Sequence, residues 1–244
     1  MMKAVEVATQ GPSSVMQIVS KAIPAIGAND LLVKNKYAGI NFIDTYQRSG
    51  VYPLRSSILG MEGAGEVTAV GESVTTVSPG TIVAWPGTVS SYAEYVVVNK
   101  DKAVVVPEGV DIKTGCAAML QGMTAHYLVN SVHDIKPGQW ALVHAAAGGV
   151  AQILCQMIKA KGGRVIATCS SEAKAAIARE VGAEQVVIGY EGFSVPVKQF
   201  ADGKGVHVVY DGVGKTTFDE SLNSLRPRGM MALYGGASGQ VPPV

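Results

Sequence analysis

From about residue 140 onward, short apolar runs alternate with amphipathic ones, and this alternation constrains the fold more than any other feature. The runs Ala141–Ala145, Val165–Thr168, Gln185–Ile188, Val206–Tyr210 and Met230–Tyr234 read as strands. Between them, Gly149–Ala160, Glu172–Val181, a weaker segment around Val195–Phe200 and Thr217–Leu225 carry apolar residues at helical spacing. Strands that are apolar throughout are buried on both faces, so they require a parallel sheet covered by helices above and below. The spacing therefore predicts an α/β domain with a doubly wound parallel sheet. A further helix, Thr114–Val129 with Thr114 as its N-cap, precedes it. Five strands are expected, whereas a complete doubly wound domain of this kind has six. The sequence stops at Gly239-Gln240-Val241-Pro242-Pro243-Val244, and a sheet truncated after its fifth strand is the expectation.

Before residue 110 the rhythm is different. Lys3–Ala8, Val15–Ser20, Leu31–Gly39, Gly65–Val70, Thr81–Trp85, Tyr92–Val98 and Ala103–Val106 are short β-rich runs. Turn residues such as Gly11-Pro12, Gly27-Ala28-Asn29-Asp30 and Ser78-Pro79-Gly80 separate them. Many short strands at this spacing predict a β-barrel or sandwich. Two domains are expected, residues 1–113 and residues 114–244.

The bulk numbers narrow the function classes. A formal net charge of +1 gives no global field to recruit nucleic acid or an anionic membrane. No apolar run approaches the length of a membrane span, and the start, MMKAVEVATQG, lacks the apolar core of a signal peptide. The three cysteines, Cys116, Cys155 and Cys169, lie far apart in apolar runs. Reduced, buried thiols and a cytoplasmic setting follow as expectations.

The turn after the strand Ala141–Ala145 reads His144-Ala145-Ala146-Ala147-Gly148-Gly149-Val150-Ala151. Laid on the dinucleotide fingerprint G-x-G-x-x-G, its key positions are Ala146, Gly148 and Ala151. The middle glycine lets backbone approach a pyrophosphate, and alanine is accepted at the third position. Backbone N–H groups at the following helix start then face the phosphates. An Ala/Gly-rich packed turn would look similar in isolation, but the position between a strand and a helix favours the fingerprint. The next strand runs into Thr168-Cys169-Ser170-Ser171-Glu172-Ala173-Lys174. No carboxylate terminates it, as would be usual for gripping a ribose 2′-hydroxyl. Two hydroxyls and a lysine stand there instead, which favours NADP over NAD. Ser171 can also cap the helix, and the two roles are compatible.

These residues resemble the quinone oxidoreductases (zeta-crystallin-like) of the medium-chain dehydrogenase/reductase superfamily. The resemblance covers essentially the whole chain. It is most specific at Ala38–Pro53 (AGINFIDTYQRSGVYP), and is carried further by Gly60–Gly65 (GMEGAG), Gly122–Tyr127 (GMTAHY), His144–Val150 (HAAAGGV) and Val209–Gly214 (VYDGVG). It implies a GroES-like β-barrel domain followed by a Rossmann domain, with NADPH in the cleft between them. By matching the motifs, the candidate catalytic residues are Asn41, Asp44, Tyr46 and Tyr52, on a loop that meets the nicotinamide and borders the substrate opening. The candidate cofactor-binding residues are Phe42, Ile43, Thr124, Gly148, Gly149 and Val150 and, for the adenosine 2′-phosphate, Ser170, Ser171, Lys174 and Tyr190. Asp211, Val213 and Gly214 follow strand four, and Gly235, Gly236 and Ala237 follow strand five. Ala151 departs from the glycine that the family has there.

Zinc enzymes of the same superfamily hold a catalytic metal through Cys and His. Here Asn41, Met61 and Leu120 stand at those positions, so no metal site is expected. The four histidines, His126, His133, His144 and His207, have no paired ligand spacing and read as surface or satisfied core residues. The implied reaction is hydride transfer, or single-electron delivery, from NADPH to a quinone. An enone or alkenal is the alternative acceptor, and a non-catalytic NADPH-binding or structural role is the alternative of another class. The uncovered fifth strand is expected to make the chain oligomeric, in line with a dimer.

Overall fold

The computed structural model describes residues 1–243. Val244, the end of the expected second domain, lies outside the described residues. The chain forms two compact units, Met1–Leu120 and Gln121 onward.

The first unit is built on an antiparallel sheet. Its strands in chain order are β1 (Met2–Glu6), β2 (Gln17–Lys21), β3 (Asp30–Ala38), β4 (Glu62–Val70), β5 (Ile82–Pro86), β6 (Tyr95–Asn99) and β7 (Val104–Val105). β1 and β2 pair with each other; the other five run in the order β6-β3-β4-β5-β7. Alternation sets the core. Leu31 and Val33 of β3 and Val96 and Val98 of β6 point inward to join Val67, Val83 and Trp85 in one buried cluster, as period-2 strands with one wet face must. The indole of Trp85 is not left unsatisfied, because its Nε1–H donates to Ser91 Oγ at 2.9 Å.

The segment expected as a loop at 41–46 is a helix instead, α1 (Phe42–Ser49), entered from Asn41 in extended conformation and closed by Gly50 in the left-handed region. Local hydrogen bonding explains it: the Asp44 carboxylate reaches back to accept from the Asn41 N–H at 2.9 Å, satisfying a donor that a helix start otherwise leaves open. A second correction concerns the expected helix Thr114–Val129. It starts earlier, as α2 (Ile112–Ala117), and its cap is Asp111, whose carboxylate accepts from Thr114 N. It is also not uniform, since wider π turns at Ala118–Gly122 and Leu128–Val132 flank α3 (Met123–Tyr127).

The second unit matches the parallel-sheet expectation. Its strands are β8 (Trp140–Val143), β9 (Arg164–Cys169), β10 (Gln185–Ile188), β11 (Val206–Asp211) and β12 (Leu225–Leu233). They lie in the order β10-β9-β8-β11-β12 and every pair is parallel. The helices α4 (Gly149–Ala160), α5 (Glu172–Glu180), α6 (Ser194–Phe200) and α7 (Phe218–Ser224) alternate with them. Residues of one strand feed two cores. Ala141 and Val143 of β8 join Leu154, Cys155 and Ile158 of α4 on one face, while Trp140 and Leu142 join Phe193 and Val197 on the other. Strand order reverses between β8 and β11. In a doubly wound sheet a ligand binds in the crevice at the carboxyl ends of the strands beside such a reversal.

Leu154 is fully buried on the α4 face of the larger core. Leu154→Ala should lower unfolding stability by about 2–5 kcal/mol through lost contacts and a residual cavity. Urea unfolding followed by the fluorescence of Trp140 would show it, and a change well under ~1 kcal/mol would contradict this packing.

Candidate functional site

In the second unit the candidate residues gather at the carboxyl ends of the strands. Between β8 and α4 the chain turns through Ala145, at φ +48°. The turn is pinned to the neighbouring strand by the bond from Ala146 N to Thr168 O at 3.2 Å. Gly148 is the residue that enters α4, and the first N–H groups of any α-helix lack intrahelical acceptors. Those of Gly149 and Val150 therefore suit a phosphate. A Cβ on Gly149 would lie 1.9 Å from Gln121 Oε1, so the Gln121 side chain would have to move to admit one. Ala151, where the family carries glycine, is buried and belongs to the packed core, so its methyl is accommodated. Thr124 sits half-buried on α3.

The end of β9 presents hydroxyls and an ammonium group. Ser171 caps α5, its Oγ accepting from Lys174 N. Lys174 Nζ donates to Ser170 Oγ at 3.1 Å, which gathers three polar groups at one helix start. Tyr190, half-buried after β10, has its ring centroid 6.4 Å from that of His144, and burial raises its pKa.

Asp211 ends β11 and is fully buried. Its Oδ1 accepts from Val213 N at 2.8 Å and Gly214 N at 2.9 Å. Its Oδ2 accepts from Thr217 Oγ at 2.7 Å and Ser221 Oγ at 3.0 Å. The carboxylate thus shapes the loop after β11. The loop after β12 is tied to it, since Ala237 N donates to Gly212 O and Ser238 N to Val213 O. Gly235 must be glycine, as a Cβ there would meet Gly212 O at 2.8 Å. Gly236 belongs to the same turn, its carbonyl accepting from Gly239 N.

His144, taken from sequence as a surface or satisfied core residue, is a satisfied core residue. Its Nδ1 is 2.7 Å from Thr168 Oγ and its Nε2 is 2.8 Å from Ser221 Oγ. Nε2 is also 3.9 Å from Asp211 Oδ2, a distance that would suit an ion pair. Burial nonetheless pulls the imidazole pKa down to about 4 against the opposing pull of Asp211, so the ring is neutral near pH ~7.

The first unit brings the other candidates together around α1. Asn41 and Asp44 are buried. Asn41 Nδ2 donates to Glu62 Oε2 at 2.8 Å, and Leu120 N donates to Glu62 Oε1 at 2.7 Å. Tyr92 Oη donates to Asp44 Oδ2 at 2.7 Å. Burial raises the pKa of Asp44 and of Glu62. It also pushes the Cys116 thiol up to about 11, with the charge of Glu62 adding to the effect. Glu62 explains one glycine, because a Cβ at Gly39 would fall 1.8 Å from its Oε2. On the outer side, Phe42 and Tyr46 meet edge to face at 5.2 Å between ring centroids, and Tyr46 and Tyr52 at 5.1 Å. Phe42 and Tyr52 are exposed, while Ile43, beside them on α1, is half-buried. Glu62, Tyr92, Thr168, Thr217 and Ser221 were missed in the sequence. The signal available was a charged or hydroxyl residue inside an otherwise apolar run, visible only for Glu62 and Thr168.

The zinc positions do not fit the metal. Asn41 offers an amide already given to Glu62, Met61 a thioether that accepts from Gln47 Nε2 at 3.3 Å, and Leu120 no donor atom. Both oxygens of Glu62 are committed. Zinc favours thiolate and imidazole, and neither is present at these positions.

Two family models match the chain, the alcohol dehydrogenase GroES-like domain over residues 27–108 and the zinc-binding dehydrogenase over residues 149–243. The chain is similar to a probable quinone oxidoreductase of Schizosaccharomyces pombe, 43% identical over 240 residues that make up 97% of this chain and 72% of that protein. It is similar to the crystal structure of Escherichia coli quinone oxidoreductase complexed with NADPH, with a TM-score of 0.96 and 39% identity over 99% of this chain and 76% of that one. A 2-haloacrylate reductase of a Burkholderia species is 39% identical over 228 residues, 89% of this chain and 68% of that protein. The chain belongs to the quinone oxidoreductase family of the medium-chain dehydrogenase/reductase superfamily.

The depressed pKa of His144 gives a stability prediction. An unfolded histidine takes up its proton near pH 6.5 but His144 only at about 4. Its contribution is therefore complete above pH 6.5 and is lost as pH falls towards 4, roughly 3 kcal/mol in all. Urea midpoints measured between pH ~7 and ~4 should fall more steeply for the wild type than for His144→Gln. Parallel slopes would show that His144 titrates normally in the fold.

Proposed function

We propose that this chain is an NADPH-dependent reductase whose acceptors are quinones. The observation that carries the choice of cofactor is the end of β9, where Ser170, Ser171 and Lys174 converge and no carboxylate stands. A dianionic 2′-phosphate gains charge-assisted hydrogen bonds there. A ribose 2′-hydroxyl finds no carboxylate to accept its proton.

NADPH, when bound, supplies the hydride. The chain's own residues bind and orient. Gly148, Gly149 and Val150 offer the pyrophosphate the open N–H groups of a helix start. Val213 and Gly214, Gly235 to Ala237, and Thr124 line the further course of the cofactor. Asn41, Phe42 and Ile43 are assigned to the nicotinamide end. The edge-to-face rings of Phe42, Tyr46 and Tyr52 present flat apolar surface and two phenol hydroxyls to a planar acceptor. A hydride and a proton must both reach a quinone carbonyl system, and Tyr46 is assigned as the hydroxyl beside it. Asp44 acts on α1 itself, through Asn41 N and Tyr92. No step calls for a metal, because a quinone or an activated alkene is electron-poor without one.

Reduction of an α,β-unsaturated carbonyl is the second reading, favoured by the similarity to a 2-haloacrylate reductase. We place the protein in the cytoplasm, which the three buried free thiols support. We also read it as a homo-oligomer, supported by β12 lying at an edge of its sheet with Met230 and Leu233 exposed.

The wild type should bind NADPH at least about tenfold more tightly than NADH, and Lys174→Ala should weaken NADPH by about tenfold or more while leaving NADH within about twofold. Fluorescence titration measures both, and equal affinities in the wild type would refute the cofactor assignment. A turnover panel of quinones and enones with NADPH tests the acceptor class, and activity on neither would leave a binding protein. Elemental analysis of the active protein should find no stoichiometric zinc; zinc at one per chain, with activity lost on chelation, would overturn the reading of Asn41, Met61 and Leu120.

A further inference from the structure

The last turn of α1 leaves carbonyl oxygens with no donor inside the helix, as every helix end does. Three of them are met from outside it. Gly11 N donates to Arg48 O at 2.8 Å, and Tyr52 N donates to Tyr46 O at 3.1 Å. The third, Gln47 O, accepts from the side-chain Nε2 of Gln10 at 2.7 Å. Arg48 returns the contact, its Nε donating to Gly11 O at 3.3 Å. Gln10 and Gly11, from the segment between β1 and β2, therefore close the end of α1.

Gln10 makes a second contact with the same atom. Its Nε2 also donates to Tyr52 O at 2.7 Å. A primary amide nitrogen carries two hydrogens, so one group serves both carbonyls. Two acceptors on one atom also fix which end of the amide is the nitrogen. The oxygen end lies over Gly50, where a Cβ would stand 3.6 Å from Gln10 Oε1. Gln10 thus ties the helix to the segment that follows it, across the turn that Gly50 makes at φ +92°.

That segment has little else to hold it. Residues 51–55 belong to no helix or strand. Among the described residues their backbone makes two hydrogen bonds, one from Tyr52 N and one to Tyr52 O. Val51 and Tyr52 are exposed, so burial does not fix them. Yet Tyr52 meets Tyr46 edge to face at 5.1 Å between ring centroids. Such a pair is a modest, orientation-dependent contact. It needs the backbone that carries Tyr52 to stay beside the helix that carries Tyr46. Both bonds that keep it there meet at Tyr52, and Gln10 supplies one of them. We infer that Gln10 is a positioning residue for the acceptor: its amide holds Tyr52 against Tyr46 and so sets the ring wall that a planar acceptor meets. This rests on the reading of Tyr46 and Tyr52 as acceptor-side residues and deepens it. Loss of the two donors leaves Tyr46 in place and loosens the wall, so the effect falls on the acceptor KM rather than on kcat.

The test is steady-state reduction of a naphthoquinone with NADPH by the wild type, Gln10→Met, Gln10→Lys, Tyr52→Ala and the double variant Gln10→Met/Tyr52→Ala. Methionine keeps the length of the side chain and has no donor. Lysine restores donors to carbonyls at a helix C-terminus, where a cation is favoured. Gln10→Met should raise the quinone KM by about fivefold, as the loss of one ordinary hydrogen bond would, with kcat and the NADPH Kd within about twofold. Gln10→Lys should stay within about twofold of the wild type. Tyr52→Ala should raise KM by itself. Adding Gln10→Met to it should then change KM by less than about twofold, because the ring through which Gln10 acts is gone. A merely structural role at the end of α1 would raise KM again in that background. Should Gln10→Met not fold, Gln10→Ser, too short to reach both carbonyls, takes its place. An unchanged quinone KM in Gln10→Met, a Gln10→Lys no better than Gln10→Met, or a second full rise in the Tyr52→Ala background would overturn this inference alone. An unchanged KM in Tyr52→Ala, or no quinone turnover by the wild type, removes the acceptor reading and this inference with it.

Discussion

The second unit depends on a carboxylate at the end of β11. Asp211 is fully buried and accepts from two backbone N–H groups and two hydroxyls. A buried carboxylate without such partners is costly, so the loop 211–214 and the start of α7 must keep the arrangement that supplies them. The same network reaches β8 through His144 and β9 through Thr168. Adjacent strand ends at the reversal of strand order are therefore registered by polar contacts, and the turn at 145–149 and the hydroxyls at 170–171 are built on those ends. Apolar packing decides that the sheet forms. The polar network decides where its loops point.

The first unit makes a parallel use of Glu62. Its two oxygens accept from Asn41, which begins α1, and from the backbone of Leu120, which lies in the helical run after β7. Asp44 holds the start of α1 from the other side and is itself held by Tyr92. Burial raises the pKa of both carboxyl groups, and the charge of Asp44 raises that of Glu62 further. Phe42 and Tyr46 thus ride on a helix whose origin is fixed by buried polar bonds, and Tyr52 packs edge to face on Tyr46.

That difference accounts for what the sequence made legible. The parallel sheet was legible because two-faced burial leaves unbroken apolar runs such as Val165–Thr168, and Gln185–Ile188 and Gly149–Ala160 coincide with the observed elements. Helix α1 was not, because FIDTYQRS is short and the side chains it buries are Asp44 and Gln47 rather than apolar ones; the pattern Asn41-x-x-Asp44, a polar cap with an acid three residues on, was the available cue. The early part of β12 was also hidden, since Pro227 and Gly229 read as breakers. An edge strand tolerates them: among the described residues β12 pairs only with β11, and a register shift between Val206 and Val208 absorbs the extra residues. The π turns at Ala118–Gly122 and Leu128–Val132 carry no sequence mark, because a wide turn keeps the same residue types and changes only the hydrogen-bond spacing. The proposed site was legible where backbone chemistry demands a residue type, as at Gly148, where a Cβ would meet Ala145 O at 3.1 Å. It was invisible where a hydroxyl such as that of Ser221 earns its place through partners far away in sequence.

The donor set at Asn41, Met61 and Leu120 bears on the acceptor. A zinc ion polarises a substrate carbonyl, and its removal leaves that activation to be found elsewhere. Here the three positions carry an amide, a thioether and an aliphatic side chain, none of which is a strong electrophile. Such positions suit an acceptor that already carries its own electron demand. Quinones and activated alkenes share that property, which simple ketones do not, and the proposed assignment of Phe42 and Tyr52 to the acceptor draws on their flat, exposed rings.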